Sequence, residues 1–196
     1  MTGVRALIVA GLGAVLLALP QPARAQGPAG EISGGYRLIH GADETFSLGW
    51  YADVLGNITD SFGVVGDVAG HYKSIDETRS AGGIQVNVSG DLRIHTFMGG
   101  ARLTWRRNPR ITPFVQALVG LAHGAADVEG SATVGGRTFT ADESESFTEF
   151  AADLGGGVNI RATDGMSVRV AGSWFRVVEE DAENAFRFSL GVVFAF

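Results

Sequence analysis

The chain has 196 residues with no cysteine, 29 glycines, a formal charge of −6 and a mean hydropathy of +0.17. That length is one domain's worth; the missing cysteines exclude a disulfide framework, and the acidity argues against an electrostatic nucleic-acid binder. After residue 25 no apolar run is long enough for a membrane helix, so any membrane crossing has to be made by strands.

Residues 1–25 carry one positive charge at Arg5, an apolar run over 6–19, then Pro20 and the small-x-small pattern of Ala23 and Ala25. This is the layout of a secretory signal peptide, expected to be cleaved before Gln26. The apolar run is short for a membrane span and is followed by a helix-ending proline, which argues against an uncleaved anchor. Without Arg5 and Arg24 the formal charge moves from −6 to −8.

Eight segments follow in which large apolar residues alternate with polar or small ones. A period of two is the mark of a strand whose two faces meet unlike surroundings. The segments are 31–39, 45–55, 61–73, 91–106, 112–123, 147–160, 166–177 and 185–196, separated by clusters of Gly, Asn, Asp and Pro. Short turns follow the second, fourth and sixth, at 56–60, 107–110 and 161–165. Long polar loops follow the third and fifth, at 74–90 and 124–146, while the loops after the first and seventh are shorter but still polar. An up-and-down path then gathers the short turns at one end and the longer loops at the other.

Parity divides each segment into two surfaces. One set holds Ile32, Tyr36, Leu38, Phe46, Leu48, Trp50, Val54, Phe62, Val64, Val68, Tyr72, Phe97, Leu103 and Trp105. It continues through Val115, Val119, Leu121, Phe150, Leu154, Val158, Ile160, Met166, Val168, Val170 and Trp174 to the last segment, where every even position from Phe186 through Phe194 to Phe196 is large and apolar. The opposite set holds Glu31, Arg37, Asp53, Asp67, His71, Lys73, Arg102, Gln116, Glu149, Asp153, Arg169 and Arg187, interleaved with Gly, Ser and Ala. A water-facing surface would be dense in Lys, Glu and Thr. A face crowded with small residues instead suits the confined lumen of a narrow barrel, which turns the apolar set toward lipid. Phe62, Trp105, Phe194 and Phe196 then fall near one rim, and Trp174 and Phe186 near the other, as expected of aromatic girdles.

The export signal, the eight alternating strands, the alternation of short turns with long loops and the terminal Phe196 together resemble the small OmpA/OmpX-type outer-membrane β-barrel superfamily. The resemblance covers essentially the whole mature chain, 26–196. It implies an all-β fold, an eight-stranded antiparallel up-and-down transmembrane β-barrel in the bacterial outer membrane, with periplasmic turns and extracellular loops. It also implies contact with outer-membrane lipid and lipopolysaccharide, and recognition of the terminal aromatic strand by the barrel assembly machinery. No peptidoglycan-binding module is expected after Phe196, and the chain is expected to act as a monomer without a nucleic-acid partner.

Function is read from the lumen and the loops. Acids Glu31, Asp53, Asp67, Glu149 and Asp153 nearly balance bases Arg37, Lys73, Arg102, Arg169 and Arg187, so a paired network that plugs the interior is expected. His40, His71, His95 and His123 are scattered over different strands, with His95 and His123 of opposite parity to His71. None has the His-x-Ser arrangement of lipid A deacylases, and no metal-ligand spacing is present, so no catalytic residue, metal or cofactor is assigned. The reading is a non-enzymatic protein serving envelope integrity or surface interaction through its loops. Its alternatives are a narrow pore, a barrel enzyme acting on lipid and a soluble periplasmic ligand-binding barrel.

Overall fold

The computed structural model describes residues 27–41, 45–81, 84–134, 137–178 and 184–196; the expected signal peptide lies outside them. The strands are β1 Gly30–His40, β2 Thr45–Phe46, β3 Leu48–Asn57, β4 Phe62–Ala81, β5 Ile84–Thr104, β6 Ile111–Val134, β7 Arg137–Thr163, β8 Met166–Val177 and β9 Asn184–Ala195. All pair antiparallel with their neighbours, and β1 pairs with β9 from Glu31↔Ala195 to His40↔Phe186. The sheet therefore closes on itself as an eight-stranded barrel, with the two-residue β2 as a detached upper end of the second wall strand. Closure is sealed at the bottom by reciprocal bonds between Gly30 and Phe196, at 3.0 and 3.1 Å.

Alternation sorts the side chains as the confined-lumen argument requires. Outward positions from Ile32 to Leu38, Leu48 to Val54, Phe62 to Tyr72, Phe97 to Leu103, Ile111 to Leu121, Phe150 to Ile160, Val168 to Trp174 and Phe186 to Phe196 carry no charged side chain. Along β9 this band runs for ten residue steps. At about 3.4 Å per residue and about 45° of tilt it is about 24 Å tall, the height of a membrane's apolar layer. Large outward residues such as Phe188, 59% exposed, and Leu190, 54% exposed, make no sense on a water-soluble barrel.

Two expectations are corrected. The segment 45–55 is not one uninterrupted strand. Ser47 separates β2 from β3, and Phe46, expected on the lipid face, turns into the barrel beside Ile39, its partner across β1 and β2. The segments 74–90 and 124–146 are not loops either. Strands β4, β5, β6 and β7 continue through them for 20, 21, 24 and 27 residues, paired in unbroken register to Ala81↔Ile84 and Val134↔Arg137. Strands β1, β3, β8 and β9, of 10 to 12 residues, stop at the barrel rim. The result is a closed barrel from which one half of the wall rises as a four-stranded sheet.

The short-turn end is tight. Between β7 and β8, Asp164 and Gly165 make the turn, and Gly165 adopts a φ of +86°, a left-handed conformation that other residues reach only with strain.

Candidate functional site

Three arginines and two acids meet in the lower lumen. Arg169 donates to Asp53 at 2.6 Å, to Glu31 at 3.1 Å, to Asn159 at 2.8 Å and to Ser33 at 2.9 Å. Arg102 donates to Asp53 at 3.3 Å and to Gln116 at 2.7 Å, and Arg106 reaches Glu31 at 3.0 Å. The guanidiniums of Arg102 and Arg169 also lie 4.6 and 4.9 Å from the centre of the Phe114 ring. A planar cation gains from an aromatic face as well as from a carboxylate, so each is held on two sides.

A second group sits higher. Arg37 makes a two-pronged pair with Asp67 at 2.8 and 2.9 Å, bonds Ser189 at 2.9 Å and stacks on Tyr51 at 4.5 Å. Arg187 lies 3.5 Å from the Phe175 ring centre and 3.4 Å from Asp153, which also accepts from Ser173 at 2.7 Å. Asp53 and Asp67 face each other across β3 and β4, and each is taken by a different arginine rather than left against its like. Around Arg37, Tyr51, Asp53 and Arg102 the remaining space is about 10 Å³, room for one water.

Of the expected lumenal residues, Glu31, Arg37, Asp53, Asp67, Arg102, Asp153, Arg169 and Arg187 are buried and lie in these two groups. Lys73 stands at the mouth, 6.0 Å from the Phe46 ring. Glu149 is half-buried higher on β7 and joins none of these pairs. Arg106, at the end of the segment 91–106 and absent from the expected lumenal set, also sends its side chain to buried Glu31. Sequence reading also missed the inward aromatics Tyr51, Phe114 and Phe175. Their positions on the polar parity of their strands were the available signal. Interleaved with the ion pairs, Leu55, Val65, Met98, Leu118, Ala122, Ala151 and Phe175 form an interior apolar cluster, so the lumen is not lined only by small and charged groups.

On the outer wall, Phe62, Trp105, Phe194 and Phe196 surround the short-turn rim, and Phe186 and half-buried Trp174 lie toward the opposite rim. At that upper level a polar aromatic row crosses the wall. Trp50 Nε1 donates to Tyr72 at 3.3 Å, and Tyr72 Oη lies 3.2 Å from His95 Nε2. His95 faces His123 across the strands, and His123 Nδ1 lies 2.8 Å from Thr148 Oγ1. Trp50 lies against Gly70, where a side chain would approach its indole to 2.7 Å. Rings with one apolar body and one polar tip belong at a membrane interface.

Above this row the outward positions of the sheet are polar, whereas the opposite positions include Val88, Leu92, Ile94, Val128 and Phe147. Among the described residues, 73–81 of β4 pair only with β5, and 137–149 of β7 pair only with β6. The segments 41–47, 74–93, 124–149 and 178–185 contain fifteen of the chain's 21 acidic residues, against Arg79, Arg93 and Arg137. The opposite end carries Arg107, Arg110 and Arg161 against Asp60 and Asp164.

The family model for the outer membrane protein beta-barrel domain matches residues 10–196. No curated protein matches the sequence. Among solved structures, Ail, the attachment invasion locus protein of Yersinia pestis, in complex with the heparin analogue sucrose octasulfate, superposes with a TM-score of 0.57 at 19% identity, covering 85% of this chain and 97% of Ail. Neisserial surface protein A gives a TM-score of 0.53 at 11% identity, covering 85% of this chain and 96% of its own. At such identities the likeness establishes a common barrel architecture.

Proposed function

This chain belongs to the family of outer membrane protein β-barrel domains, and from that footing we propose that it is a non-enzymatic anchor that holds an acidic four-stranded sheet at the cell surface. Its role there is envelope integrity or surface interaction. The observation that carries the reading is the contrast between a lumen crossed by buried ion pairs, which leave a pocket of about 10 Å³ beside Arg37, Tyr51, Asp53 and Arg102, and strands β4 to β7 that continue past the membrane band. Side chains that fill the axis leave no path for solutes. Strands that run past the membrane band, with a polar outward face, offer surface to a partner.

In this reading the signal at 1–25 is removed on export, Phe196 and its strand are read by the assembly machinery, and the single barrel sits among outer-membrane lipid and lipopolysaccharide. The ligand seen with Ail is a polyanion. An acidic sheet repels that class and favours a cationic partner.

The test is a chain shortened by removing 75–90 and 126–145, with an Asn-Gly turn joining the facing pairs Ser74↔Asp91 and Ala125↔Ser146. Cells carrying it are expected to keep the barrel in the outer membrane yet to lose adhesion or detergent resistance. Full retention of both phenotypes, relative to cells without the protein, contradicts the reading. Conductance steps from purified protein in a planar bilayer contradict the plugged lumen.

A further inference from the structure

We propose that the inner face of the protruding sheet, the one that continues the lumenal positions above the barrel, is a docking surface for a cationic amphipathic helix of a partner protein. The proposal rests on the surface-interaction reading above and names the face and the partner's chemistry.

Register places the face. Ile94, Leu92 and Val88 of β5 and Val128 of β6 have the parity of buried Thr96, Met98 and Ala122 lower on the same strands, and Phe147 of β7 has that of buried Ala151. Inside the barrel the opposite wall covers such positions. Above it β1, β3, β8 and β9 have ended, and Val88, Val128 and Phe147 are 41, 45 and 47% exposed. At the same height the outward positions are polar, as at Ser89, Asp127 and Ser144. A sheet with one polar face in water gains by covering its apolar one.

The strip has the dimensions of a short helix. From Ile94 to Val88 it runs six residue steps along β5, which at about 3.4 Å per residue is about 20 Å, the length of an α-helix of about 13 residues. Gly90, Gly124 and Gly130 stand between the larger side chains and keep the middle of the strip low. At its foot the Phe147 ring lies across Gly124, where a side chain would approach it to 2.2 Å. The apolar ridge of an amphipathic helix fits a shallow trough of this kind.

Charge selects the occupant. Glu143 faces Val128 and Glu145 faces Ala126, so exposed carboxylates border the strip along β7. Lys73 borders it on the other side, and register puts Arg79 and Arg137 in rows beyond Val88. The chain's own remaining segments at this end do not match the strip. Residues 42–44 are Ala, Asp and Glu, and 179–183 are Glu, Glu, Asp, Ala and Glu, with no large apolar group and with charge of the wrong sign. A second copy would bring the same acids, and the phosphates of lipopolysaccharide are repelled by them as well. A helix with large apolar groups on one side and Lys or Arg flanking them matches both the strip and its border.

The experiment follows the fluorescence anisotropy of a dye-labelled helical peptide of about 14 residues, made of Leu and Lys at amphipathic spacing, titrated with the protein in nanodiscs of zwitterionic phospholipid. Empty discs are the blank. It compares the wild type, Val88→Ser/Val128→Ser, Glu143→Gln/Glu145→Gln and the control Glu129→Gln/Asp142→Asn, which removes the same charge from the outward face. Folding of each is checked by heat-dependent gel mobility before it is placed in discs. The face predicts binding that weakens by about tenfold or more in each of the first two variants and by less than about twofold in the control. No binding to the wild type above the empty discs, equal weakening in the control, or equal binding of a Leu and Glu peptide overturns it. Self-association of the wild type, or capture of lipopolysaccharide, that Val88→Ser/Val128→Ser abolishes gives the face to that occupant and overturns it too. If the shortened chain loses adhesion while the peptide does not bind, only this face fails; if the shortened chain keeps adhesion and detergent resistance, the surface reading itself fails.

Discussion

Within the barrel, and in the sheet that rises from it, strands β4 to β7 keep one register and one alternation while the chemistry attached to it changes. Inside the band, outward means lipid and inward means a crowded lumen, so every position is constrained by its surroundings. Leu190 has to be apolar, and Arg169 has to find Glu31 and Asp53. Above the band the outward positions turn from apolar to polar, while the opposite face keeps apolar residues such as Val88, Leu92 and Val128. Charges there are tolerated side by side, as Glu129 and Asp142 are, because water screens them. The lower region is thus specified by stability, and the upper one is free to be specified by what it touches.

Substitutions that sharpen the contrast have their largest effect in the lumen. Arg169→Ala takes from Asp53 its closest cation and from Glu31 one of its partners in a buried site, and a loss of about 3–5 kcal/mol is expected in urea unfolding of the folded protein in lipid vesicles. A loss below about 1 kcal/mol would mean that water reaches the network. Leu190→Arg, on the opposite face, is expected to destabilise by about 2–4 kcal/mol in the same assay if the position lies near the midplane. Tolerance of that change would reverse the inside-out assignment.

Deleting Phe196 removes one rim aromatic and the two backbone bonds that tie the last residue to Gly30. Lower recovery in the outer-membrane fraction is expected, and unchanged recovery would contradict a role for the terminal aromatic in assembly. In the upper sheet, Asp142→Asn should shift stability by no more than about 0.5 kcal/mol, in the stabilising direction, because it relieves the repulsion with Glu129. A large destabilisation would show that this carboxylate is structural.

The lower region was legible in the sequence for the reason it is constrained. Parity alone placed Glu31, Arg37, Asp53, Asp67, Arg102, Asp153, Arg169 and Arg187 on one face, and the outward apolar band followed from the other. What escaped was whatever depends on neighbours in space. Phe46 changes face because Ser47 interrupts the ladder, which no periodicity reports. Arg106 lies beyond the end of β5 at Thr104, yet its long side chain reaches back to Glu31. Tyr51, Phe114 and Phe175 interrupt a polar face because guanidiniums need flat surfaces to rest on. The upper sheet was read as loops because 74–90 and 124–146 are rich in Gly, Ser, Thr, Asp and Glu, a composition that outweighed the short alternation of Ile84, Val86 and Val88.

The central claim is that the barrel is a self-sufficient anchor and the sheet an addition to it. Gel mobility before and after boiling, on the chain lacking 75–90 and 126–145 recovered from the outer-membrane fraction, tests this most directly. The account predicts a band whose mobility changes on heating, as for the full-length chain. A shortened chain that is absent from the outer membrane, or whose mobility heating leaves unchanged, would contradict it.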